Sequence, residues 1–156
     1  MDIQPATLSD VDDLAWLGQR MRAESNIGFP VVDPAAIKAH LRLVAANPAR
    51  VFMAIARDRG APVGMVGGVI GSYPFSDDLR ACCETLFVLP DFRGRHGGAR
   101  LLRCFDVWAI SNGAGCIYLG ISTGISPERS ARLLMRLGYA PIGQTFRKEI
   151  DTCVPA

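Results

Sequence analysis

The chain has 156 residues, the size of one domain, and at that size folding buries about 70% of the unfolded surface without staples. Hydrophobic residues make up 49% and charged residues 21%, and the 16 glycines and 10 prolines follow no period, which excludes a disordered or collagen-like chain. With 17 basic and 15 acidic side chains, the net +2 is too small to call for a nucleic-acid or membrane partner.

In chain order, Asp2 to Ala6 reads as a short strand. Ser9 with Asp12 resembles a capping box opening a helix whose apolar positions are Val11, Leu14, Leu17 and Met21, ending near Glu24. Asp33-Pro34 caps a second helix with Ile37, Leu41 and Val44 at helical spacing, stopped by Asn47-Pro48. Arg50 to Arg57 and Pro62 to Ser72 are β-rich runs joined at Asp58-Arg59-Gly60, a hairpin signal, and Ala81 to Leu89 is a third run. They predict an antiparallel meander. A helix with Leu101, Leu102, Phe105, Trp108 and Ala109 on one face leads to a strand at Cys116 to Ile121, and strand-helix-strand implies a parallel pair. Ser126-Pro127-Glu128 opens a last helix, with Leu133, Leu134 and Leu137 inward and Gly138 at its end. Phe146 to Ile150 is predicted as a closing strand, with a further short strand allowed at Tyr139 to Ile142. The expectation is a single α/β domain over residues 1–156 with a mixed, mostly antiparallel sheet and helices on both faces.

The five cysteines form no CxxC and are odd in number, so reduced thiols and a cytoplasmic location are expected. The first residues show no basic-then-apolar leader, and no stretch approaches the ~20 apolar residues that span a bilayer.

Leu86 to Leu102 is a strand, a turn rich in glycine and arginine, and an amphipathic helix. Free N–H groups of the turn and first helical turn, the positive end of the helix dipole and small residues together make a phosphate cradle. Arg93, Arg95 and Arg100 add charge at its rim. The same residues also fit a plain strand-to-helix turn with solvated arginines, and neither nucleotide-binding fingerprint, G-x-x-x-x-G-K-[ST] or G-x-G-x-x-G, is matched.

Val88, Pro90, Arg93 and Gly98 resemble the signature of the GNAT superfamily of acetyl-CoA-dependent N-acetyltransferases, a strand ending in V-x-P followed by R/Q-x-x-G-x-G/A opening a helix. His96 stands where the first signature glycine is usual, with glycine displaced to Gly97. Pro127 to Tyr139 is similar to the family's N-x-x-A-x-x-L-Y-x-x-x-G-F helix, with a matching Leu137-Gly138-Tyr139 end. The resemblance covers roughly residues 2 to 150. It implies that backbone groups of Arg93, Gly94, Arg95, His96, Gly97, Gly98 and Ala99 hold the pyrophosphate of coenzyme A. The edge at Leu86, Phe87 and Val88 would pair with the pantetheine arm, splayed from Ile117 to Ile121, as an added strand does. Acetyl-CoA would then be the co-substrate, with no metal.

Acetyl transfer needs a neutral amine, donors for the developing oxyanion and a proton for the departing thiolate. Glu84 is the candidate base, because it interrupts an apolar run where an unpaired carboxylate is costly and shares its alternation phase with Leu86 and Val88. Pairing with an arginine such as Arg80 is the competing reading. The Val88 N–H is the candidate oxyanion donor. Leu134 stands where the family's proton-donating tyrosine is usual and Pro127 where an asparagine is common, and neither donates a proton. Water, Ser126, Ser130 or Tyr118 would have to assist a thiolate that already leaves well at a thiol pKa of ~8.5.

His96 and His40 read as an exposed loop residue and a structural helix residue. Cys82, Cys83, Trp16, Phe105 and Trp108 read as core. Residues 1–33 carry six acidic and two basic side chains, which suits an amine, and the segment Ser25 to Pro30 has the make-up of a lid over the acceptor, with Tyr73-Pro74-Phe75 opposite. The expected activity is direct transfer of acetyl to a primary amine of a small molecule or peptide, and a homodimer is compatible with it. A non-catalytic acyl-CoA-binding module is the alternative. Nucleic-acid binding through the arginine turn is disfavoured because the aromatics follow core spacing.

Overall fold

The computed structural model describes residues 1–25, 28, 30–94 and 96–148. Five strands, β1 (Asp2–Pro5), β2 (Val51–Asp58), β3 (Ala61–Tyr73), β4 (Ser76–Val88) and β5 (Cys116–Leu119), form one sheet in sequence order. The first three pairings are antiparallel and β4–β5 is parallel. Four helices complete the chain: α1 (Val11–Glu24), α2 (Pro34–Ala46), α3 (Gly97–Ser111) and α4 (Pro127–Arg136).

Alternation along the strands divides the core between the two faces of the sheet. Ala54, Val66, Ala81 and Val88 pack with Leu101, Leu102 and Phe105 of α3. Ile55, Met65 and Phe87 point the other way, against Leu14 and Leu17 of α1 and Leu41 of α2. The β2–β3 hairpin turns at Arg59 and Gly60, both with positive φ (50° and 85°), the pattern of a type I′ turn. Asp33 caps α2 by accepting from the Ala35 N–H at 2.8 Å, as the Asp-Pro pair predicts.

Several expectations are corrected. The capping box lies two residues earlier than Ser9: Thr7 donates to Asp10 through its N–H (2.7 Å) and its hydroxyl (2.8 Å), forming a 3-10 turn before α1. Asp10 also carries the structural ion pair with Arg57, which fixes the box there. β4 starts at Ser76 rather than Ala81, because the tight turn after Tyr73 brings the polar stretch into register with the end of β3. β5 stops at Leu119. Trp16, expected in the core, is 38% exposed beneath the Arg20 guanidinium. No strand forms at Tyr139 to Ile142 or at 146–148, and Glu149 and Ile150 lie outside the described residues. Pro141 has no ladder N–H to give, and the side chains of Ile142 and Phe146 reach no apolar surface, being 78% and 86% exposed.

Candidate active site

The β4–β5 pairing runs from Arg80/Cys116 to Cys83/Leu119 and then ends, so Glu84 to Val88 face an opening wedge. The divergence starts at a bulge: β3 residues Gly67 and Gly68 oppose Thr85 and Cys83, leaving Glu84 as the extra residue of β4. Gly68 permits the close approach, since a Cβ there would lie 2.1 Å from the Cys82 carbonyl oxygen. The bulge also resets alternation. Cys83 and Leu86, three residues apart, pack in the same cluster, so strict alternation breaks once between them, at the bulge.

Backbone direction in the wedge follows from the ladder. The Leu89 N–H donates to the Val63 carbonyl at 2.9 Å, and antiparallel pairs alternate between bonded and non-bonded, so Val88 and Leu86 turn their backbone groups away from β3. The Val88 carbonyl accepts from Arg93 Nε at 2.8 Å, whereas its N–H and both Leu86 groups face the opening. The same alternation turns the backbone of Phe87 to β3, and its side chain is buried under α1. Phe87 therefore directs its backbone groups to β3 rather than to the opening, while the residue itself lines the larger cavity described below.

Glu84 is exposed, lines a cavity of about 140 Å³ and has no ion pair among the described residues, so pairing with Arg80 is not observed. The cavity is also lined by Met21 of α1, Leu119 at the end of β5 and the residues after it to Thr123, and Ser130 and Leu134 of α4. Beneath it, burial pushes the Cys83 thiol up to about 12.

A second cavity of about 480 Å³ adjoins the first, sharing Leu86, Thr123, Ser130 and Leu133. Its floor is the turn before α3, with Gly94 at φ 80° and His96 at φ 63°, so His96 adopts the left-handed conformation usual for glycine. Gly97, Gly98 and Ala99 line the cavity from the first turn of α3, where N–H groups have no intrahelical acceptor. Arg95 lies outside the described residues. Arg93 has its N–H on the Pro90 carbonyl and its guanidinium on Glu24 and Val88, so it braces the turn.

The positive wall of this cavity is Arg129, Arg132 and Arg136 of α4. Sequence reasoning missed them, although their i, i+3, i+7 spacing sets one face of the helix. Of the proton donors considered, Ser130 lines both cavities and Ser126 the larger one. Tyr118 lines neither, and its hydroxyl is 2.9 Å from that of Tyr73. The acidic excess of the N-terminal region is largely engaged: Asp10 and Asp13 hold Arg57, Glu24 holds Arg93, and Asp33 caps α2. Of the lid segment, Asn26, Ile27 and Phe29 lie outside the described residues, and Ser25 Oγ donates to the Thr123 carbonyl at 2.9 Å.

Residues 18–139 match the family model described as Acetyltransferase (GNAT) family. Solved structures share the fold at low identity. Ribosomal-protein-alanine N-acetyltransferase from Brucella melitensis biovar Abortus 2308 superposes with a TM-score of 0.72 at 19% identity, over 96% of this chain and 100% of that one. Glucosamine-6-phosphate N-acetyltransferase from Arabidopsis thaliana gives 0.77 at 14%, over 96% and 98%. AAC(6')-Iy in complex with the bisubstrate analogue CoA-S-monomethyl-acetylneamine gives 0.73 at 19%, over 96% and 98%. No curated protein matches the chain in sequence.

Proposed function

The chain belongs to the GNAT acetyltransferase family, and on that premise we propose that it transfers acetyl from acetyl-CoA directly to a primary amine, with Glu84 as the base. The observation that carries this reading is the wedge after Cys83/Leu119, where an exposed carboxylate and an outward-facing Val88 N–H adjoin an arginine-lined cavity at a helix N-terminus.

The larger cavity fits the diphosphate end of coenzyme A. First-turn N–H groups of Gly97, Gly98 and Ala99 and the guanidinium groups of Arg129, Arg132 and Arg136 supply donors and positive charge. The N–H and C=O of Leu86 suit the amides of the pantetheine arm, as in strand addition.

Glu84, through water, takes the proton from the ammonium so that the amine lone pair attacks the thioester carbonyl. The Val88 N–H donates to the developing oxyanion. When the C–S bond breaks, the electron pair leaves on sulfur. Leu134 supplies no proton, and the hydroxyl groups of Ser130 and Thr123, which line both cavities, are side-chain donors at their junction. A thiol pushed up to about 12 is not a nucleophile near neutral pH, which supports direct transfer over an acetyl-enzyme on Cys83.

The test is free-thiol release from acetyl-CoA over an amine panel, with Glu84→Gln alongside. The variant is expected to lose about 10²–10⁴-fold in kcat while binding coenzyme A unchanged. An unchanged rate removes Glu84 from the mechanism. Tight coenzyme A binding without turnover of any amine would instead make the protein a non-catalytic acyl-CoA binder.

A further inference from the structure

Beyond Glu84, β4 and β5 present a second face. Leu79, Ala81 and Cys83 of β4 and Ile117 and Leu119 of β5 pack toward α3, so Arg80, Cys82, Cys116 and Tyr118 occupy the opposite face. α1 and α2 cover that face over β2 and β3, while here Cys116 is exposed and Arg80, Cys82 and Tyr118 are partly so. Tyr73 reaches across it, its hydroxyl 2.9 Å from Tyr118 Oη and 3.3 Å from Cys116 Sγ.

The Arg80 guanidinium lies 4.6 Å over the Tyr73 ring. Among the described residues no carboxylate pairs with it, and the nearby Asp78 is turned to the Ser76 hydroxyl at 2.8 Å. A partly buried guanidinium normally has a counter-ion, because its desolvation is otherwise uncompensated. Stacking on an aromatic ring holds the planar fork in place with its N–H edge available.

We propose that Arg80, held by Tyr73 next to Tyr118, anchors an anionic group of the acceptor, so that the acceptor is an amine carrying a carboxylate or phosphate remote from the reacting nitrogen. The assignment rests on acetyl transfer at Glu84. Arg80 and Glu84 are four residues apart on β4, at most about 13 Å along an extended strand, a span that an extended peptide of about four residues bridges from its amine to its carboxylate. Carboxylate and phosphate both accept the guanidinium fork through two oxygens. Tyr73 keeps its proton, since its bonds to Cys116 and Tyr118 push its pKa above the ordinary phenol value, so no like charge faces the anion.

The experiment is calorimetric binding to the coenzyme A-loaded protein. The probes are short glycine peptides, each as free acid and as C-terminal amide, and an aminoalkyl phosphate against the matching amino alcohol. The wild type is expected to bind at least one anionic probe about tenfold or more tighter than its neutral counterpart, the effect of a charge-assisted hydrogen bond. The peptide and phosphate arms tell which anion is used. Arg80→Gln should abolish the preference, and Arg80→Lys should retain part of it with an unchanged melting temperature. Equal binding of charged and neutral probes by the wild type, or a preference undiminished in both variants, overturns the proposal. Thiol release from acetyl-CoA with the same probes, run alongside, separates the two readings: an Arg80-dependent binding preference without thiol release from any probe would leave the anchor standing and count against acetyl transfer instead.

Discussion

Arg93 holds Glu24 with both terminal nitrogens, one of them 2.7 Å from Oε2, and in doing so ties the end of α1 to the turn that opens α3. Its Nε simultaneously bonds the Val88 carbonyl, so one side chain fixes the last residue of β4, the C-terminus of α1 and the cradle turn. The signature arginine thereby shapes the anion site while its own charge is neutralised by a carboxylate.

That arrangement predicts coupling between Glu24 and Arg93. In a double-mutant cycle with Glu24→Gln and Arg93→Gln, the pair should show an interaction of about 1–2 kcal/mol in stability, below a buried pair because both side chains are partly exposed. Coenzyme A affinity should fall in both single variants, since each loosens the same turn. Loss of affinity only in Arg93→Gln would show that the arginine contacts the ligand itself.

The turn carries a second testable feature at His96. A non-glycine residue at φ 63° holds a conformation that costs roughly 1–2 kcal/mol relative to glycine. His96→Gly removes that cost but gains chain entropy in the unfolded state, so the net expectation is a stabilisation of roughly 0.5–1 kcal/mol. Thermal unfolding with and without coenzyme A checks it. If the variant melts lower and binds more weakly, the imidazole makes a contact that outweighs the strain.

The contrast between these residues explains what was legible beforehand. Arg93, Gly94, Gly97 and Gly98 stand in a short contiguous segment, and local chain geometry alone delivers them to one turn. The α3 core was readable for the same reason, because Leu101, Leu102 and Phe105 recur at helical spacing. Glu84 was found as an anomaly in an apolar run, yet its direction depends on a bulge that exists only through pairing with Gly67 and Gly68. Arg129, Arg132 and Arg136 meet the cradle only after α4 packs beside α3, which no local pattern encodes. The N-terminal acids misled for the converse reason: Asp10, Asp13 and Glu24 find arginines distant in sequence, so local charge did not survive as local field.

Asp10 supplies a pH dependence whose sign follows from its partners. Burial raises its pKa, but the Thr7 N–H, the Arg57 guanidinium at 2.6 Å and the Thr7 hydroxyl outweigh burial and leave it below the ordinary 3.8. A carboxyl with a depressed folded-state pKa contributes stability above its unfolded value, and that contribution is lost as pH falls through the folded value. Asp10→Asn leaves Arg57 with Asp13 and should cost about 1–2 kcal/mol at pH 7, less than breaking an isolated buried pair because the guanidinium keeps a counter-ion. Denaturant unfolding of both proteins should show this gap constant from neutral pH down to about 5 and narrowing below about 4. A gap that stays the same at pH 3 would mean that Asp10 acts through its shape and neutral hydrogen bonds rather than through its charge.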